Sequence, residues 1–209
     1  MTWCMGRTRG MSQWCGVVLS LMLSGCVSVG KTPPPPRSVF DLGPPVAAFE
    51  STVRAGGLSL DMRGVPWMDQ AAQTYRLAYD NVQQVREYSL TRWAGPPSQL
   101  VGQRLRQRLD WSDAGGRCTV LAQLESFTQI FDSPRQSRGV LRMTLRIVDR
   151  RGAELAASPF QSEAMAPTAD APGGVAALTA ATDQVARSVG DWLGQPAQLA
   201  ALRDCRDRS

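Results

Sequence analysis

The 209-residue chain contains no histidine. That removes the side chain whose ordinary pKa lies closest to neutrality. With it go His-based general acid–base catalysis, a Ser-His-Asp triad and His-ligated metal sites. Lysine is nearly absent too: Lys31 is the only one, so almost all the positive charge is arginine. The chain start lacks a long apolar run. Cys15 to Leu23 spans about nine residues, well short of the ~20 that a membrane-crossing helix needs. Carboxylates are present, but no close-set pair stands out. Asp41, Asp61, Asp69, Asp80 and Glu87 are scattered among expected turns and strands, so a carboxylate-only hydrolase has no visible centre. The chain reads as a non-enzyme, with no catalytic residue, no metal site and no cofactor.

What is present begins with Arg7 and Arg9, a small basic region with no acid around it, followed by the short apolar run. Ser24 and Gly25 then precede Cys26. Peptidase sites admit small side chains next to the bond they cut, so this is a cleavage signature. Leu23-Ser24-Gly25-Cys26 resembles the lipobox of bacterial lipoproteins. The resemblance implies a thioether-linked diacylglycerol on Cys26, cleavage before it, and acylation of the new amino terminus by a fatty acid such as palmitate. Three acyl chains exceed the two signals that stable anchoring requires. Neither Val27 nor Ser28 is the aspartate that, by the same resemblance, would hold a lipoprotein at the inner membrane. The expected location is therefore the periplasmic face of the outer membrane.

The expected organisation is a signal peptide over 1–25, a lipid-anchored Pro-rich linker over 26–37, one domain over 38–195 and a polar tail over 196–209. Pro33 to Pro36 favour polyproline II, so ten linker residues reach up to ~30 Å. The net charge of +5 falls by two without Arg7 and Arg9, a mild bias toward anionic partners or surfaces. Nucleic acid is not an expected partner: no dense basic patch interleaved with aromatics is present. Beyond Cys26, the processed chain holds Cys118 and Cys205. In an oxidising compartment they form either one disulfide or two buried or free thiols.

The patterning predicts an α+β domain, an antiparallel sheet with two amphipathic helices packed on one face. Strands are expected at 38–43, 58–62, 74–79 and 85–92. Arg76 is expected to tie the sheet to a carboxylate such as Asp61. Ser98 reads as the N-cap of a helix to Leu109, with Leu100, Val101, Leu105 and Leu109 on its buried face and Arg104, Arg106 and Arg108 elsewhere. From Val140 to Asp149 the odd positions Leu141, Met143, Leu145 and Ile147 are apolar, while the other face is mixed and basic. Its expected partner is 118–131, across an eight-residue connection. Phe131 would then face Val140, Leu124 would face Ile147, and Glu125 would face Arg146. A third strand over 154–163 carries Pro159, which suggests an edge position or a bulge. A second helix over 175–193 buries Leu178, Ala181, Val185, Val189 and Trp192.

Taken together, Cys26 with its linker, Phe40-Asp41-Leu42, Tyr75-Arg76-Leu77, and Tyr88 leading to Arg92-Trp93-Ala94-Gly95-Pro96-Pro97 resemble the ABC-type transport auxiliary lipoproteins of the paraquat-inducible protein C type. The helix to Leu109, the long hairpin and the last helix follow in the same order. The resemblance implies a non-catalytic component of a lipid-trafficking system. Its partners would be a protein with mammalian-cell-entry (MCE) domains and an inner-membrane ABC permease and ATPase. It also implies a homo-oligomeric ring that docks the MCE tube. Trp93 is a candidate docking knob or a core residue. Arg138, Arg142 and Arg146 are candidates for contact with acidic partners or lipid headgroups, or form a solvated strand face. A lipoprotein assisting assembly of another outer-membrane complex, such as a lipopolysaccharide-export plug, is the alternative class.

Overall fold

The computed structural model describes residues 36–44, 47–49, 58–111 and 117–206. The expected signal peptide, Cys26 and the expected linker through Pro35 lie outside them. The elements in chain order are β1 (Ser38–Phe40), β2 (Leu58–Gly64), β3 (Ala72–Leu77), β4 (Asn81–Trp93), α1 (Pro97–Arg108), β5 (Cys118–Ser133), β6 (Gln136–Val148), β7 (Glu154–Met165), α2 (Ala171–Leu193), α3 (Pro196–Ala201) and α4 (Arg203–Arg206).

One seven-stranded sheet runs β1-β4-β3-β5-β6-β7, with β2 also paired to β5. The class is α+β, but the sheet is mixed and not antiparallel throughout. β2 lies parallel to the first half of β5, with Leu58 opposite Cys118 and Gly64 opposite Leu124. β3 lies parallel to its second half, with Tyr75 opposite Gln129. β1 lies parallel to β4. Periodicity sets which face a strand buries; the connections set its direction. β4 and α1 carry the chain back, so β5 enters alongside β2 and β3 in the same sense.

β5, β6 and β7 form an antiparallel meander. Its register differs from the expected one. Phe131 faces Ser137, Leu124 faces Met143, and Arg146 faces Leu121. The connection is only Pro134-Arg135, because the strands run on until Ser133 faces Gln136. Glu125 falls in a bulge between Leu124 and Ser126 and accepts from the Thr144 hydroxyl at 2.6 Å. A shorter turn and a bulge together moved every pair. Pro159 sits on β7, an edge strand, opposite Thr144.

Both long helices cover the face that carries Leu141, Met143, Leu145 and Ile147, all of them buried. The predicted stripe of α2, Leu178 to Trp192, is buried against it. Gly139 lets α2 approach: a Cβ there would lie 2.7 Å from the Leu178 backbone nitrogen. α2 begins before its expected start, because the Asp170 side chain caps it by accepting from the Gly173 N–H at 2.8 Å. In α1, Ser98 is not the cap; it lies inside the first turn. Asp69 serves that end instead, accepting from the Ser98 N–H at 3.0 Å and the Ser98 hydroxyl at 2.7 Å. A charged acceptor at a helix start also opposes the positive end of its dipole.

Two buried glutamines hold the start of α2 to the sheet. Gln129 donates to the Ser137 hydroxyl at 2.7 Å and the Asp170 carbonyl at 3.1 Å, and accepts from Tyr88 at 2.9 Å. Gln73 donates to the Ala171 carbonyl at 2.9 Å and accepts from Thr91 at 2.7 Å. Burial, with Tyr75 and Asp170 adding, pushes the Tyr88 hydroxyl well above its usual pKa, so it stays protonated and donates. The segment after Pro196, polar in sequence, forms two short helices that bury Leu202 and Cys205. Cys205 is joined to Cys118 at the start of β5, with Cα atoms 5.3 Å apart.

Candidate functional site

Trp93 ends β4, and the strand-to-helix corner turns its ring inward. It is 1% exposed, with its ring 5.3 Å from that of Phe127. It is a core residue and not an exposed knob. The expectation that Arg76 would reach Asp61 is also corrected. Asp61 accepts from Arg63 at 2.8 Å, two residues along its own strand. Arg76 donates to the Val82 and Gln83 carbonyls, each at 3.0 Å, and so staples the β3–β4 hairpin.

Arg138, Arg142 and Arg146 do share one face of β6, away from the helices. Their charges are unequal in effect. Arg138 is flanked by Asp132 and by Glu163, the latter at 2.9 Å. Arg146 meets Glu154 at 2.6 Å. Arg142 is exposed and has no ion pair among the described residues. The row is mostly neutralised, and Arg142 is its one open charge.

The fold builds two features that the sequence reading did not single out. The first is a buried ionic cluster between the long helices. Arg104 donates to both oxygens of Asp183 on α2, at 2.8 and 2.9 Å. Arg108 donates to the same two oxygens, at 2.9 Å through Nε. Arg104 also reaches the Pro44 carbonyl at 3.3 Å, and Arg108 reaches that of Ala47 at 3.2 Å. Arg108 and Arg187 both lie over the Phe49 ring, at 4.8 and 4.9 Å. Burial alone would push the Asp183 carboxyl up. The hydrogen bonds from Arg108 and Arg104 outweigh it and hold the pKa at about 2. Arg104, which the sequence places off the apolar stripe of α1, is 5% exposed. The signal was there in spacing: 101, 104, 105 and 108 follow one helical stripe.

The second feature is a groove of about 760 Å³ beside the cluster. One wall is β1 and its continuation, with Phe40 and Leu42. The other is the small-residue face of α2, with Ala176, Thr179 and Ala180. Further along the same edge, β4 has no second strand on its outer side among the described residues. β1 covers β4 only at Thr91 to Trp93, and the β3–β4 hairpin exposes Tyr79, Val82, Val85 and Leu90. These are exposed apolar residues on a hairpin at a sheet edge, the arrangement that accepts a docking partner. Among the described residues, no helix is long and apolar enough to cross a membrane.

The family described as ABC-type transport auxiliary lipoprotein component matches residues 40–190. Among solved structures, a Xanthomonas campestris protein of the family named DUF330 is 12% identical. The match covers 81% of this chain and 100% of that one, with a TM-score of 0.65. An uncharacterized protein, also 12% identical, matches over 76% of this chain and 99% of its own, with a TM-score of 0.58. At such identity the likeness is one of fold. No curated protein matches the chain.

Proposed function

Since the chain belongs to the family of ABC-type transport auxiliary lipoprotein components, we propose that it is the outer-membrane-anchored, non-catalytic member of an MCE-type system that moves lipid between membranes. The observation that carries this reading is the extent of the family match. It runs from the last residue of β1 into α2 and so takes in β2 to β7 entire. The lipobox at Leu23 to Cys26 supports anchoring through Cys26.

Lipid cannot cross the aqueous periplasm without an apolar conduit, since each exposed methylene costs ~0.8 kcal/mol. A receptor tethered to the target membrane raises the local concentration of the conduit's end there. The exposed apolar residues of the β3–β4 hairpin support a docking role for that edge of the sheet, either toward the MCE protein or between copies in a ring. The test is detergent co-purification from native membranes, with Cys26→Ala as the control. Recovery of an MCE-domain protein and its ATPase with the wild type, and their loss with Cys26→Ala, is the expected result. Recovery of a β-barrel protein without them would overturn the reading in favour of an assembly role.

A further inference from the structure

A second cleft, of about 540 Å³, opens at the end of the sheet where β5 begins and β6 passes into β7. Three guanidinium-bearing residues line it, Arg117, Arg150 and Arg151, with Asp149 as the one carboxylate. Cys118, Leu155 and Ala201 complete the lining.

The turn that presents Arg150 and Arg151 is held without any ligand. Gly152 adopts φ 83° and donates to the Asp149 carbonyl at 3.0 Å. The Asp149 Oδ1 accepts from the backbone N–H of Arg151 at 2.8 Å and of Ala153 at 2.9 Å. That carboxylate is therefore engaged with the backbone and not with a guanidinium. Cys118 in the lining is held by its bond to Cys205. Six other arginines are neutralised. Arg63, Arg86, Arg104, Arg108, Arg138 and Arg146 each sit on an acid. Arg150 and Arg151 are adjacent and exposed, and neither has an ion pair among the described residues. Adjacent like charges on a fixed turn repel, and an anion between them relieves that repulsion. The guanidinium fork matches phosphate oxygens two at a time.

We propose that this cleft binds a phosphate-bearing anion through Arg150 and Arg151, at the disulfide-tied end of the sheet. A phospholipid headgroup and free inorganic phosphate share this chemistry. The inference does not depend on the transport reading, because it is tested on the protein alone.

The full chain, purified in mild detergent, is titrated calorimetrically with inorganic phosphate, dihexanoyl phosphatidic acid and dihexanoyl phosphatidylcholine. The double variant Arg150→Gln/Arg151→Gln should bind phosphate or phosphatidic acid at least about tenfold more weakly than wild type. The charge-matched control Arg92→Gln/Arg135→Gln removes two exposed arginines that each stand without an arginine beside them, and should leave affinity unchanged. Tighter binding of phosphatidic acid than of phosphate assigns the site to a lipid headgroup; equal binding assigns it to a soluble anion. Equal weakening by both double variants would reduce the effect to net charge and overturn the site. Absence of binding by phosphate and phosphatidic acid would overturn it as well, as would equal binding of the phosphatidylcholine control.

Discussion

At the scale of single residues, Asp183 does the most. It is one carboxylate shared by two guanidiniums, largely out of water. Replacing it leaves two partly buried cations facing each other. Asp183→Asn should therefore cost about 2–4 kcal/mol, read as a lower urea midpoint at pH 7. The pH dependence follows from its held-down pKa. The folded value is about 2, below the usual ~3.9 of an unfolded aspartate. Its contribution is complete above about pH 4 and disappears as pH falls toward 2, a span worth about 2 kcal/mol. The wild type should lose more stability between pH 4 and pH 2 than Asp183→Asn does. Equal losses would show that Asp183 is not the group responsible. This cluster was poorly legible in the sequence, because charged side chains on an amphipathic helix ordinarily face water. Only the placement of Arg104 between Val101 and Leu105 on the buried stripe hinted otherwise.

At the scale of elements, the faces of α2 and β6 were legible and their neighbours were not. A helical period of 3.6 and a strand period of 2 act within one element, so Leu178 to Trp192 and Leu141 to Ile147 could be placed from spacing alone. Parallel pairing of β2 and β3 with β5 depends on connections many residues long. The hairpin register depends on a bulge at Glu125 that no period records. The start of α2 is a further case, since its tether is a pair of buried glutamines from other strands. Gln129→Ala would leave the Tyr88 hydroxyl, the Ser137 hydroxyl and the Asp170 carbonyl without this partner. We expect a loss of about 2–3 kcal/mol. Hydrogen exchange should quicken in the first turns of α2 and not at its Trp192 end. Uniform quickening along the helix would mean that the network does not act locally.

At the scale of the whole molecule, the disulfide joins residues 87 apart in sequence. In the chain-entropy description a loop of that length stabilises the fold by about 4–5 kcal/mol. Reduction should lower the melting temperature by about 10–15 °C. Cys205→Ser should do the same and make a reductant ineffective. An unchanged melting point on reduction would mean that Leu202 and its neighbours hold the tail unaided. The bond also makes the two ends of the domain mechanically unlike. Tension arriving from the amino-terminal side enters through β1, which is laddered to β4 over three residues only. Tension from the carboxyl side meets Cys205 and passes straight into β5, the middle of the sheet. A chain stretched between its ends should therefore yield first at β1, paying out at most about 4 nm before Phe49, bonded to the Arg108 carbonyl of α1, bears load. Optical tweezers would record this as a short step ahead of the main rupture, and a single rupture would refute it. The amino-terminal strand would then be an extensible leader, and a jolt between membrane and partner would lengthen the lead before it tore the domain.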